Sequence, residues 1–368
     1  MKYDVTIGIP VYKAEPYIRK TMESALSQTY PSIEFLIVDD EGGDGSMNFI
    51  NECIASHSRG KDIRLLSHSQ NQGVSASRNQ IIDEARGDYI YFLDADDLIA
   101  ENTITLLMQN IRRYDAEIAF GSYERIELSG KREVYQYPLL QLLGEDQLAI
   151  FAYRKYAGIQ ASACNFLVKT SLLREKELRF INTNYWEDMV FTFDLVTIIS
   201  RAVLLPDITY TYFCRENSLS HYQQRHQISK NEVMQNAKAI NHLKETSLLL
   251  YKKVYYPNRC RNIVMTDFYI ACHILKRRKD IQPSVSNVEI KKMMSHPATY
   301  SQICTFRQSR LINLAFFLLH KQPSSFCVLT IWMIGKVKKY SNYWQYPFFF
   351  LFLQQIVDIS SKYGKLVR

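Results

Sequence analysis

The stretch Tyr89–Leu98, YIYFLDADDL, runs from an apolar row straight into three acids, Asp94, Asp96 and Asp97. Its first residues read as a buried strand. Carboxylates crowded at the end of a strand repel one another in the folded chain unless a positive charge lies among them. A divalent cation is such a charge, since Mg²⁺ and Mn²⁺ take hard oxygen ligands and are held by one or two carboxylates plus phosphate oxygens. The local alternative has one acid capping the helix that begins near Glu101 and the others solvated.

The flanking sequence makes that strand one of a series. VTIGIPVY, IEFLIVDD and IRLLSHS read as strands, with helical periodicity over Tyr17–Ser27, Ser46–His57 and Val74–Arg86 between them. Strands with little internal polarity that alternate with helices predict an α/β fold, a Rossmann-like, mostly parallel sheet flanked by helices. Open sheets of this kind bind ligands at the carboxyl ends of their strands. Polar and special residues collect there: Pro10, Val11 and Tyr12 after the first strand, Asp39 and Asp40 after the second, the three acids after the fourth. Further on, AEIAFGSYERIEL predicts a strand entering a hairpin that turns at Ser129-Gly130. NFLVKT is strand-like, NYWEDMVFTFDLVTII reads as a helix preceded by a loop, and AVLLPDITYTYFC supplies one or two strands. From Arg225 the helical period takes over, which places a boundary between residues 1–224 and a C-terminal helical region, 225–368.

Composition agrees with a folded, multi-domain chain: 368 residues, 47% hydrophobic and 22% charged. The formal charge of +8 hides an asymmetry. Up to Phe120 there are 11 lysines and arginines against 19 acids; from Arg225 onward there are 23 against 6. The seven cysteines are irregularly spaced and form no C-x-x-C pair, which speaks for a reducing compartment and against a zinc site or disulfide framework. MKYDVTIGIPVY enters a strand at once without an apolar leader, so a cytoplasmic location is expected.

Three longer stretches carry a resemblance. TIGIPVYKAEPYIRKTMESALSQTYPSIEFLIVDD, NQGVSASRNQIIDEARGDYIYFLDADDLI and NYWEDMVFTFDL resemble, in order and spacing, the signatures of the inverting family 2 glycosyltransferases of GT-A fold. The resemblance implies that residues 1–224 form a nucleotide-sugar-binding and catalytic domain. It implies that Pro10, Val11 and Tyr12 line the nucleotide base, that Glu15 belongs to the same loop, and that Asp40 reads the base edge. Arg78 in SASRN would approach the diphosphate; Asp94, Ala95 and Asp96 form the D-x-D, with Asp94 and Asp96 at ribose and metal. Asp188 in WED would be the general base with Glu187 beside it, and His221 a further metal or diphosphate contact, a status Arg215 shares. The implied reaction moves one sugar from a nucleotide-sugar, UDP-linked by expectation, to a glycan or lipid-linked acceptor in cell-surface polysaccharide synthesis, with Mn²⁺ or Mg²⁺ as cofactor. The alternative is a catalytically inactive sugar-nucleotide-binding partner in a glycan assembly.

Elementary chemistry supports these roles independently. A leaving diphosphate needs its charge stabilised, and an acceptor hydroxyl needs a positioned carboxylate to take its proton. Local readings compete with several assignments: Asp188 as an acid complementing a helix dipole, Arg78 as a surface residue paired with Asp83, and His221 as an ordinary histidine. Two features depart from the family pattern. VDDEGGDGS places Glu41 and two glycines where Gly-Ser is usual, and the Q-x-x-R-W signature of processive synthases is absent, which favours single transfers.

The basic region beyond Arg225 interleaves lysine and arginine clusters with aromatic runs. LINLAFFLLH, FCVLTIWMIG and YPFFFLFLQQIV are too short for the ~18–20 residues that span a bilayer. Basic and aromatic residues together suit an anionic membrane surface on the cytoplasmic face, the other reading being a plain helical domain. No nucleic-acid-binding motif accompanies the charge.

Overall fold

The computed structural model describes residues 3–154, 159–215 and 227–337. The chain divides into two compact units, Met1–Gln224 and Arg225–Arg368.

In the first unit the elements follow in the order β1 (Tyr3–Val11), α1 (Ile18–Leu26), β2 (Ile33–Asp39), α2 (Ser46–Ser56), β3 (Ile63–Ser67), α3 (Val74–Glu84), β4 (Gly87–Phe92), β5 (Leu98–Ile99), α4 (Thr103–Tyr114) and β6 (Ile118–Ile126). Then come β7 (Arg132–Tyr135), β8 (Leu140–Leu143), α5 (Gln147–Arg154), β9 (Phe166–Lys169), α6 (Thr170–Glu175), α7 (Glu187–Ile198) and β10 (Arg201–Phe213). The sheet order is β3-β2-β1-β4-β9-β6-β10-β5, with β7 on β6 and β8 on β10.

Strands β3, β2, β1 and β4 are parallel neighbours, as the alternation of apolar strands and helices predicts. Every residue of β1 from Val5 onward is buried, as are Ile33–Val38 of β2, because helices cover both faces. The sheet then reverses: β9 inserts antiparallel between β4 and β6. A short run such as FLVK marks a strand but carries nothing about its direction or neighbours. AVLLPDITYTYF is one strand, β10, whose register against β6 slips between Leu204 and Tyr210. Pro206 lies in that interval and has no N–H to give the ladder. The hairpin turns at Gly130, which takes φ 78° between β6 and β7.

The second unit is helical: β11 (Ile228–Ser229), α8 (Lys230–Ser247), α9 (Tyr256–Lys276), β12 (Ile281–Gln282), α10 (Asn287–Met293), α11 (Tyr300–Thr305), α12 (Arg310–Lys321) and α13 (Ser324–Val337). Ser229, Ser286 and Thr299 open three of its helices with capping boxes, each satisfying two otherwise orphaned N–H groups. Part of its positive charge is internal. Arg259 is fully buried and donates to Ser247 Oγ at 2.7 Å and Thr246 Oγ1 at 2.9 Å, while Lys244 pairs with buried Asp267 at 2.5 Å. Among the described residues no helix is long and apolar enough to cross a membrane.

Candidate active site

The parallel pairing of β3, β2, β1 and β4 sets their carboxyl ends side by side. Pro10 and Val11 finish β1 buried, and the Val11 carbonyl accepts from Asp40 N at 2.9 Å. Tyr12 emerges next, 47% exposed, with the Lys13 ammonium 5.2 Å from its ring centre. An exposed ring at this point can face a planar base. The EGGDGS loop packs onto the segment that follows: Glu15 accepts from Gly45 N at 3.1 Å and donates its own N–H to Asp44 at 2.9 Å. At Gly42 a Cβ would fall 2.7 Å from the Lys13 backbone nitrogen, so the unusual glycine there permits the contact.

Asp40 is buried and its carboxylate is already engaged. It meets His68 Nδ1 at 2.7 Å and accepts from Gln72 N at 2.7 Å and Gly73 N at 2.8 Å. It therefore stitches the end of β2 to the loop entering α3, and any contact with a base edge is shared with these bonds.

Arg78, on the first turns of α3, is only 4% exposed. Its Nη1 donates to Glu187 at 2.9 Å and its Nη2 to Asp94 at 2.7 Å, over the face of Phe180 at 5.3 Å. Phe180 in turn stacks on Phe191 of α7 at 3.9 Å. Arg78 is thus a buried link between the D-x-D acid and the acidic start of α7 rather than a surface residue paired with Asp83, which binds Arg179 instead.

The three acids after β4 have three environments. Asp97 is 1% exposed and accepts from Tyr210 Oη at 2.6 Å and Phe213 N at 2.9 Å, locking the turn to β10. Ala95 is buried and its carbonyl accepts from Thr21 of α1 at 2.9 Å. Asp96 stays accessible, and burial, followed by the charge of Asp94, pushes its carboxyl up to about 6 against the pull of Arg215. Arg215 donates to the Asp96 carbonyl at 2.7 Å from between the rings of Tyr17 and Phe213, at 4.1 and 4.8 Å.

This donor set fits a hard divalent cation. A carboxyl with raised proton affinity beside a second acid is short of positive charge, and a metal relieves that shortage. Among the described residues no cluster of three or more side chains could hold an ion unaided, so the remaining ligands would be phosphate oxygens. His221 lies outside the described residues.

Asp188 stands in the first turn of α7, after Trp186 in the left-handed region at φ 64°. It is half-buried, and its Oδ1 accepts from Met189 N at 2.6 Å. Burial first, then the neighbouring Glu187 carboxylate, push its carboxyl up to about 7, with Arg78 opposing. Glu187, the other WED acid, is buried and paired with Arg78 at 2.9 Å.

Residues 6–175 match the family described as glycosyl transferase family 2. An uncharacterized glycosyltransferase of Haemophilus influenzae is 31% identical over 201 residues, spanning 54% of this chain and 74% of that protein. The chain is a family 2 glycosyltransferase. The succinoglycan biosynthesis protein ExoO of Rhizobium meliloti is 26% identical over 223 residues, 59% of this chain and 62% of that one. The structure of Staphylococcus aureus TarS 1–349 in complex with UDP-GlcNAc superposes with a TM-score of 0.53 at 15% identity, covering 87% of this chain and 90% of that one. At that identity the likeness is one of fold, and the fold is GT-A.

Several contributors to this family 2 glycosyltransferase's site carry no local sequence signal. His68 sits 28 positions from the Asp40 it braces, and Phe180 lies outside every motif. Arg215, which follows β10 directly, is by contrast a residue that the family resemblance marks as a metal or diphosphate contact; the fold adds its hydrogen bond to the Asp96 carbonyl.

Proposed function

We propose that this enzyme transfers a single sugar from a UDP-sugar to a hydroxyl of a glycan or lipid-linked oligosaccharide, with inversion at the anomeric carbon, in the synthesis of a cell-surface polysaccharide. The observation that carries this reading is the Arg78 bridge. It brings the D-x-D acids of β4 and the acids of α7 into one site, with Asp188 raised to the range where a base works best at neutral pH. Tyr12 would stack on the base. Asp188 would take the proton from the acceptor hydroxyl as that oxygen bonds to the anomeric carbon. The bond from that carbon to the diphosphate oxygen breaks, and the diphosphate leaves with the electron pair. A Mn²⁺ or Mg²⁺ ion held by Asp94 and Asp96 would supply Lewis-acid stabilisation of the diphosphate charge. Single displacement by one base inverts the centre without a covalent sugar-enzyme intermediate.

The relative named for succinoglycan biosynthesis supports the polysaccharide reading, and the UDP-GlcNAc bound to TarS supports the UDP-sugar donor. An acceptor carried on lipid would bring the enzyme to the cytoplasmic face of a membrane.

Asp188→Asn tests the assignment. Sugar transfer should be lost while the melting temperature still rises on adding UDP and Mn²⁺. Undiminished transfer by the variant would remove Asp188 as the base. NMR of the product anomeric proton decides inversion.

A further inference from the structure

Helix α13 carries apolar side chains on both of its faces. Cys327, Val328 and Ile331 are buried against the rest of the helical unit. Gly335 lets the helix lie close to Cys272 of α9, where an added Cβ would stand 3.2 Å from the sulfur. The opposite face holds Phe326, Leu329, Trp332 and Met333, spaced i, i+3, i+6 and i+7, and all four are between 44 and 55% exposed. A helix with apolar rows on two opposite faces is ordinarily covered on both. This one is enclosed on one side only among the described residues. Helix α12 repeats the pattern on a smaller scale, with Leu311 and Leu318 exposed one face away from buried Ile312 and Asn313.

Charge indicates what covers the exposed face. No Asp or Glu occurs between Glu289 and Asp358, whereas Arg307, Arg310, Lys321 and Lys336 lie within or beside these two helices. The Lys336 ammonium sits 3.8 Å from the centre of the Trp332 ring, at the edge of the apolar row. A protein partner of ordinary composition does not demand an acid-free surface. An anionic lipid surface does, because its headgroups attract cations and repel carboxylates while its acyl boundary takes in apolar side chains. With 14 residues, α13 is too short to span a bilayer and suits one lying along it.

We propose that the outward face of α13, with α12 beside it in sequence, is a docking surface for an anionic membrane: Phe326, Leu329, Trp332 and Met333 enter the acyl boundary, and Lys321 and Lys336 meet the phosphates. The inference goes beyond the catalytic reading and holds whichever sugar is moved.

The test is co-sedimentation of the full-length protein with vesicles of equimolar phosphatidylglycerol and phosphatidylcholine, and with vesicles of phosphatidylcholine alone. The native chain should pellet with the mixed vesicles and remain largely in solution with the neutral ones. The variant F326S/L329S/W332S/M333S should lose at least about tenfold in vesicle affinity. Because the four side chains point outward, its circular dichroism and its melting shift with UDP and Mn²⁺ should match the native chain. A second variant, K321E/K336E, reverses two charges while keeping the four apolar side chains and should also bind less. Equal binding by native and serine variant overturns the proposal, as does equal binding to neutral and anionic vesicles. A native chain that ignores vesicles but forms a dimer abolished by the serine variant overturns it in favour of a second copy of this chain. None of these outcomes bears on Asp188, so failure here leaves the catalytic reading standing.

Discussion

Arg78 and Glu187, 109 positions apart, are joined by a 2.9 Å charge-assisted hydrogen bond in the protein interior. Through its other Nη the same guanidinium holds Asp94, so one buried cation sets the distance between the two acidic ends of the site.

Removing that cation should be severe. Arg78→Ala leaves Glu187 buried without its partner, and breaking a buried pair on one side costs about 3–5 kcal/mol. Urea denaturation should show a loss in that range, with transfer activity falling at the same time. Arg78→Lys keeps the charge but not the fork that reaches both acids, so it should recover part of the stability and little of the activity.

As the proposed base, Asp188 should make both rate and stability depend on pH. As a base it must be ionised, so kcat/KM should rise through about pH 7. Stability runs the other way. Between the ordinary carboxyl value of 3.8 and about 7 the folded chain holds a proton at Asp188 that the unfolded chain has released, so raising the pH through this window weakens folding. Asp188→Asn, neutral throughout, should be inactive yet more stable than the native enzyme above about pH 7, and the advantage should vanish in acid. Melting curves across that range check the sign.

The adjacent acids Asp96 and Asp97 should separate cleanly. Asp96→Asn is expected to leave the apo melting temperature near native and to abolish the extra stabilisation that Mn²⁺ adds to UDP. Asp97→Ala removes the acceptor for both Tyr210 Oη and Phe213 N and should lower stability by about 1–3 kcal/mol in the absence of any ligand. A thermal-shift panel with and without Mn²⁺ distinguishes the two patterns.

Gly42 and Gly45 give a graded test of the nucleotide-side loop. Gly42→Ala drives a methyl against the fixed backbone of Lys13, at a cost of about 1–3 kcal/mol that should appear in KM for the donor. Gly45→Ala meets only the mobile end of Glu15 and should be felt much less. Steady-state kinetics with varied donor settles the order.

How much of this was legible depends on sequence range. IPVY, VDD, SASRN, DAD and WED each lie at a strand end or in the opening turns of a helix, and the local period that marks those elements also places the motifs. The parallel half of the sheet was readable for the same reason. The insertion of β9 was not, because strand order is settled by which edges remain open after other strands have paired. SASRN marks Arg78 as a candidate cation but not as a buried one: that required knowing that the start of α7 reaches it. His68 was hidden likewise, since it works through Asp40, a partner that only the folded chain brings near.

The Arg78 bridge also bears on the order in which the chain becomes a protein during synthesis. The family match ends at residue 175, yet Glu187 lies beyond it. Until the ribosome has released α7, the nascent donor half carries an interior cation with one of its two counter-charges missing, and Phe180 lacks the ring it stacks on. A nascent chain stopped at that point should remain loosely packed and open to proteases. The segment that the family matches should therefore not fold by itself, and grafting it onto another scaffold would require carrying α7 along.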